Sequence, residues 1–341
     1  MKILIVGSDK IYAIENFYVK YLRELGVSVK QFSAQSLFYD YYQKNLQNKL
    51  LFKSGLSRIT SMINERFLQQ VEEFKPDIIW IFKGMEILPG SLQAVKEKGI
   101  CLVNYNPDSP FVFSGTGSGN ENITDSIRFY DLFLTYNHED KLRMEREHHI
   151  RSAILPFGFN LDENIYEIAA GETEKQKLCF LGNPDRQRAF FLESLAEAGL
   201  VMDVFGNGWG RFVSHSNITV NKPVYENDFW ITLRRYRIQL NLMRPHNPSS
   251  HNMRSFEAAG VGAIQLAPDT GDHRTYFEPG KEIFLYHDVE SCFKAAKAIL
   301  SLSAEDALTV RNNARNRSLK DGYTYKSRTT TALNLIKQYC A

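Results

Sequence analysis

Arg254 and Glu257 stand three positions apart within residues 241–262, NLMRPHNPSSHNMRSFEAAGVG. This stretch reads as the end of a strand near Met243, a loop of His, Asn, Pro and Ser, and a helix entered near Ser250. Ser249 or Ser250 is the expected N-cap. Free amides at a helix start, with His251 and Arg254 in the first turn, suit an anion such as a diphosphate. A guanidinium can clamp a phosphoryl oxygen through two hydrogen bonds and neutralise it as it leaves. A carboxylate one turn on can accept two hydrogen bonds from a vicinal diol. An amphipathic helix with a surface Arg254–Glu257 pair fits the same spacing, so both readings stand at this point.

A second set lies in the N-terminal half. Asp9 follows the Gly7 turn and Asp108 follows Asn106-Pro107, each just past an apolar run that reads as a strand. A carboxylate there could take a proton from an attacking hydroxyl, with Asn106 and Lys83 beside it by topology. The Asn-Pro-Asp-Ser-Pro turn could equally use Asp108 for local capping. The stretch SGTGSGN at 114–120 resembles a phosphate loop only superficially, because no Lys-Ser/Thr follows and no helix starts at once. It reads instead as a loop over a cleft that orders with substrate. The histidine pairs His148/His149 and His246/His251 lack converging partners, so no metal site is expected.

These residues need a frame to hold them. The 341 residues exceed the about 250–300 at which a single core stops growing, so two domains are expected. With 43% hydrophobic and 23% charged residues the chain has material for two cores. The 41 basic and 39 acidic residues leave no basic excess for nucleic acid. Ile3-Leu4-Ile5-Val6-Gly7 reads as a strand buried on both faces, followed by a helix and a second strand over 27–32. Leu178-Cys179-Phe180-Leu181-Gly182 repeats that opening. Two doubly wound units of the same kind follow, and ligands bind such sheets beyond the carboxyl ends of their strands. Residues 36–58 mix aromatic residues and leucines with Lys44, Lys49, Lys53 and Arg58. A helix packed beside the cleft is the preferred reading, with an anionic membrane or a lipid-linked acceptor as the alternative. Cys101 and Cys179 fall inside expected strands and read as buried thiols, which suits a reducing compartment. The N-terminal apolar run is too short for a signal core, and no run of about 18 apolar residues occurs, so a cytoplasmic location is expected.

Residues 251–292, HNMRSFEAAGVGAIQLAPDTGDHRTYFEPGKEIFLYHDVESC, resemble the C-terminal signature of the glycosyltransferase group 1-like family. Within it they are most similar to the spore-maturation-protein (CgeB-like) branch. KPDIIWIFKGMEILPGSLQAVKEKGI, DLFLTYNHEDKLRMEREHHIRSAILPFGFN, LCFLGNPDRQRAFFLESLAEAGLVMDVFGNGW and YTYKSR resemble further stretches of that family in the same order. The resemblance implies a GT-B fold, α/β with two Rossmann-like, doubly wound parallel-sheet domains facing each other across a cleft. It implies a nucleoside diphosphate sugar as donor, UDP-sugar favoured, held by the C-terminal domain without metal or resident cofactor. Arg254 would meet the diphosphate and Glu257 the ribose. Gly182 and Arg186 would line the donor site, with His251 at the helix entry. Gly206 and Trp209 would approach the nucleotide, unless Trp209 is a hydrophobic plug. Many retaining relatives carry Glu eight positions before the ribose Glu, where this chain has Ser249, so the anomeric outcome stays open.

The expected division is an acceptor domain over 1–157, a linker over 158–176, a donor domain over 177–322, and a C-terminal helix over 323–341 crossing back to the first domain. Partners would be the nucleotide sugar and a glycan, lipid-linked or protein acceptor. A nucleotide-sugar epimerase, or a catalytically silent binding or coat-assembly protein of this architecture, remains the competing expectation.

Overall fold

The computed structural model describes residues 1–113, 117–244, 247 and 249–340. The chain forms two compact units, Met1–Pro156 with Tyr325–Ala341, and Phe157–Thr324.

In the first unit, β1 (Lys2–Val6), α1 (Ile14–Glu24) and β2 (Ser28–Phe32) open the chain. The helices α2 (Ala34–Lys44), α3 (Leu46–Lys53) and α4 (Ile59–Phe74) lead into β3 (Ile78–Phe82). Then come α5 (Pro89–Lys96), β4 (Cys101–Asn106) and α6 (Glu121–Ser126). The run closes with β5 (Leu132–Thr135), α7 (His138–Glu147) and β6 (Ser152–Ile154). The six strands are parallel, in the order β2-β1-β3-β4-β5-β6. Ile78 to Phe82 are all buried, as a strand covered on both faces requires. The order reverses between β1 and β3, the kind of point at which open α/β sheets generally place a ligand.

The second unit begins with α8 (Glu163–Gly171), β7 (Lys175–Leu181), α9 (Arg186–Glu197) and β8 (Met202–Phe205). It continues through β9 (Ile218–Asn221), α10 (Glu226–Arg235), β10 (Tyr236–Leu240) and α11 (Met253–Gly260). The elements β11 (Gln265–Pro268), α12 (Gly271–Tyr276), β12 (Phe284–Tyr286), α13 (Val289–Leu300) and α14 (Ala304–Lys320) complete it. Its parallel sheet has the order β12-β11-β10-β7-β8-β9, so the reversal falls between β7 and β10. The chain then returns to the first unit as α15 (Tyr325–Cys340). There Tyr325 stacks on Phe17 of α1 with ring centroids 4.9 Å apart.

Two expectations need correction. Residues 158–176 are not an irregular linker, because they contain α8 and the first residues of β7. Their carboxylates look like loop charges in the sequence, yet they pair with buried arginines far along the chain. Glu163 holds Arg315 at 2.6 Å, and Glu174 holds both Arg237 and Arg311 at 2.5 Å. Changing Glu174 to Gln leaves those two buried guanidiniums without a counter-charge. The expected loss is about 3 kcal/mol of unfolding free energy, measurable by urea denaturation. A loss below about 1 kcal/mol would mean that water already serves these arginines.

The second correction concerns Cys101, which is disulfide-bonded to Cys340 with Cα atoms 5.8 Å apart. The bond ties the end of α15 to the start of β4, a closeness hidden by a separation of 239 residues. Cys179 is a buried thiol, as expected, and donates to Gln239 Oε1. Among the described residues no helix is long and apolar enough to cross a membrane.

Candidate functional site

The reversal point of the second sheet gathers three guanidinium groups. β7 ends at Leu181, and the chain turns through Gly182 into α9, whose N-cap Asp185 accepts from Arg188 N at 2.9 Å. Arg188 lies on the buried face of α9 with Ala189, Leu192 and Leu195. Its side chain reaches across to donate to Leu242 O at 2.7 Å and back to Asn183 O at 3.2 Å. Arg244 lies just past β10 and pairs with Asp185 at 3.5 Å.

The third is Arg254, the second residue of α11. It donates to Glu257 Oε2 at 2.9 Å and to Leu181 O at 3.4 Å. Its guanidinium sits over the Phe229 ring, 4.4 Å from the centroid. This is no surface pair, since the Arg254 and Glu257 side chains are only 17% and 14% exposed. Burial raises the Glu257 carboxyl and lowers the Arg254 guanidinium, while their mutual attraction opposes both shifts. Burial also pushes Arg188 down to about 10, and the nearby charges of Arg244 and Arg254 add to that shift. Like charges crowded at a strand end form a site that an anion would relieve.

The entry to α11 differs from the expected one. Its N-cap is Asn252, whose Oδ1 accepts from Ser255 N at 3.2 Å while Ser255 Oγ accepts from Asn252 N at 3.3 Å. Asn241, at the end of β10, forms a reciprocal amide pair with Asn252, so strand and helix start are fixed to each other. Ser255 also donates to His273 Nε2 at 2.8 Å, and His273 Nδ1–H donates to Pro268 O at 2.7 Å. Burial pushes His273 down to about 4, which keeps the ring neutral and able to accept from Ser255.

Ser250 is therefore not the cap, and its hydroxyl instead donates to Asp272 Oδ2 at 2.5 Å. His251 precedes the helix and is wholly buried, with Nδ1 against Asp272 at 2.7 Å. Its ring packs edge-on against Phe157, Phe256 and Tyr276, which makes it a strut of the helix entry rather than a surface for a ligand. His246 lies outside the described residues.

Three further donor-side residues stand as follows. Arg186 is exposed at the first position of α9, whereas Arg188 points inward. Trp209 is wholly buried, edge-on to Phe180, and its indole N–H donates to Gly182 O at 2.8 Å. It is the plug between the loops after β7 and β8, because the turn at Gly208 (φ 86°) tucks the ring beneath them. Gly206 is required by that same approach, since a Cβ there would lie 2.3 Å from Gly182 O.

In the first unit, Lys83 follows β3 with a left-handed backbone (φ 61°), a conformation that side chains seldom adopt without a functional or packing reason. Its ammonium pairs with Asp108 Oδ2 at 2.6 Å and donates to Gly117 O. Asn106 is buried and accepts from Asp108 N at 3.0 Å through Oδ1. Lys83, Asn106 and Asp108 are thus together, as expected. Asp9 is exposed, and the hydrogen bond from Ser36 holds its carboxyl below the usual range. Ser114, Gly115 and Thr116 of the expected loop lie outside the described residues.

The sequence reading missed Glu86. It follows the left-handed turn at Lys83, in a loop held by side-chain hydrogen bonds. Asn64 bonds Glu86 O and Leu88 N, both at 2.9 Å, and Asn120 and Asn122 both bond Met85 O. Glu86 as a whole is half-buried, and burial of its carboxyl group pushes it up to about 7. Glu15, nearby, is raised by burial too, but its Oε1 is committed to Ser8 N at 2.8 Å. No described side chain bonds the Glu86 carboxyl. Among the described residues no group of three or more His, Cys, Asp or Glu is placed to hold a metal ion.

Comparison with known proteins agrees with this architecture. Residues 186–334 match the model of a glycosyl transferase-like family. No curated protein matches the sequence. Sucrose-phosphate synthase from Thermosynechococcus elongatus superposes with a TM-score of 0.72 at 12% identity, over 99% of this chain and 98% of that one. A UDP-forming α,α-trehalose-phosphate synthase from Burkholderia xenovorans gives 0.68 at 14% identity, over 100% of both chains. UDP-GlcNAc 2-epimerase from Neisseria meningitidis, bound to UDP-GlcNAc, gives 0.59 at 11%, over 99% and 100%. The fold is GT-B: two six-stranded parallel sheets flanked by helices.

Proposed function

We propose that this protein is a glycosyltransferase that moves a sugar from a nucleoside diphosphate sugar to a hydroxyl acceptor. The observation that carries this reading is the crowding of Arg188, Arg244 and Arg254 beside the start of α11, with Glu257 one turn on. The family match over residues 186–334 covers this same region. The diphosphate would bind Arg254 and the amides at the start of α11, with Glu257 reorienting toward the ribose diol. A UDP donor is favoured because two of the similar proteins are named for UDP or a UDP-sugar. The resemblance to the spore-maturation branch is part of this proposal. The reading calls for no resident cofactor, since cationic side chains and a helix start offset the charge of the leaving group.

On the first unit, Asp108 is already engaged by Lys83, so Glu86 is the better candidate to take the acceptor proton. The direct test is release of nucleoside diphosphate from UDP-glucose, UDP-GlcNAc and GDP-mannose, with and without a panel of hydroxyl acceptors. Acceptor-dependent release with a new glycoside is expected. A converted sugar nucleotide, or free sugar formed without any acceptor dependence, would support the epimerase reading instead. A panel without turnover and without any thermal shift would defeat both.

A further inference from the structure

The segment before α4 carries a surface that neither sheet edge uses. α3 has no buried residue. It forms because Asn45 caps it, accepting from Asn48 N at 2.8 Å, and because Gly55 (φ 74°) turns the chain at its end. Phe52 packs on α2, 4.9 Å from the Phe38 ring and 5.7 Å from that of Tyr42. Leu50 is two residues earlier, about 200° around the helix from Phe52, and Leu46 lies one turn before it on the same outer face. Leu46 is 76% exposed, Leu50 67% and Leu56 73%. Single exposed leucines are ordinary, but three within one short stretch, with Leu51 also exposed, form a patch.

The charge around the patch has one sign. Between Asp40 and Glu65 the chain holds Lys44, Lys49, Lys53 and Arg58 and no carboxylate. Lys44, Lys53 and Arg58 are exposed, while Lys49 lies over the Tyr42 ring at 5.8 Å. We infer that the outer face of α3, continued by Leu56, docks on an anionic lipid surface, with Leu46, Leu50 and Leu56 entering the interface and the lysines meeting the headgroups. The combination selects this occupant. Leucines gain little from the phosphates of a nucleic acid, whereas a bilayer boundary receives apolar and cationic groups together. A second copy docked by a twofold axis would bring the same four cations face to face. Of residues 36–58, α2 does pack, laying Leu37, Phe38 and Tyr41 on the core, whereas α3 buries nothing. The inference takes up the membrane alternative for α3 alone and is independent of the proposed sugar transfer.

The test is co-sedimentation of the full chain with vesicles of phosphatidylcholine plus phosphatidylglycerol, against vesicles of phosphatidylcholine alone. Binding is expected only to the anionic vesicles, and it should weaken steeply with salt. Leu46→Ser/Leu50→Ser should lower binding at least tenfold, and each of Lys44→Glu and Lys53→Glu at least about fivefold. Because Lys44, at the end of α2, and Leu46, Leu50 and Lys53, on α3, are all exposed, the variants should keep the thermal unfolding midpoint and the nucleotide response of the parent. No binding to anionic vesicles, or binding unaffected by these changes, overturns the inference. So does a concentration-dependent dimer that the leucine variant abolishes, in a chain that ignores vesicles.

Discussion

Replacing Arg254 by Ala is expected to weaken UDP binding about a hundredfold, roughly 3 kcal/mol, in an isothermal titration of the full chain. Part of the loss is the charge-assisted hydrogen bonding to the diphosphate, about 1.5–3 kcal/mol. The rest is the negative charge of Glu257, left without its partner 2.9 Å away and repelling the same phosphates. The variant also loses the contact over Phe229, so folding must be separated from binding. Arg254→Ala/Glu257→Gln removes the stranded carboxylate. It should regain thermal stability over the single variant yet leave UDP binding weak. If Arg254→Ala binds UDP as the parent does, the donor site is elsewhere.

Glu86→Gln is expected to reduce kcat by about a hundredfold or more while leaving UDP affinity unchanged, because the residue belongs to the unit that does not hold the arginines. The pH dependence gives a second readout. Burial raises this carboxyl from an ordinary 4.5 to about 7, so it is mostly protonated below that value and cannot then accept a proton. The parent rate should therefore rise with pH and level off above about 7, and the variant should lack this limb. Stability moves the other way. A carboxyl raised on folding favours the native state at low pH, and that contribution disappears as pH climbs through about 7. At pH 8 the amide avoids the cost of an ionised, crowded carboxylate, so Glu86→Gln should be at least as stable as the parent while far less active. A role confined to packing predicts no such opposition. Should Asp108→Asn remove the pH limb and Glu86→Gln keep it, the proton goes to Asp108.

The backbone plan was legible because it rests on local signals. Ile3 to Gly7 and Leu178 to Gly182 are apolar runs closed by glycine, and both became the strands flanking a chain reversal. Arg254 and Glu257 were legible because helical spacing alone places them one turn apart. What depends on distant partners was hidden. Glu174 looked like linker charge until Arg237 and Arg311 arrived from 63 and 137 positions away. Arg188 faces inward, as its spacing with Leu192 and Leu195 on α9 marks in the sequence, whereas Arg186 faces out. Trp209 could have served a base or a core, and only the turn at Gly208 decided between them. Glu86 left no trace in the sequence, because its place depends on a left-handed Lys83 that no residue type announces. The helix entry was displaced from Ser250 to Asn252 by two competing partners. Asp272 engages the serine, and Ser255 completes the capping box with the asparagine.

The central claim is that the start of α11 and the neighbouring arginines cradle a diphosphate. A crystal structure of the full chain with UDP tests it most directly. The phosphoryl oxygens are expected within hydrogen-bonding distance of the Arg254 guanidinium, at the ends of β7 and β10, with the ribose hydroxyls on Glu257. UDP bound away from those strand ends, with Arg254 and Glu257 still joined only to each other, would contradict it.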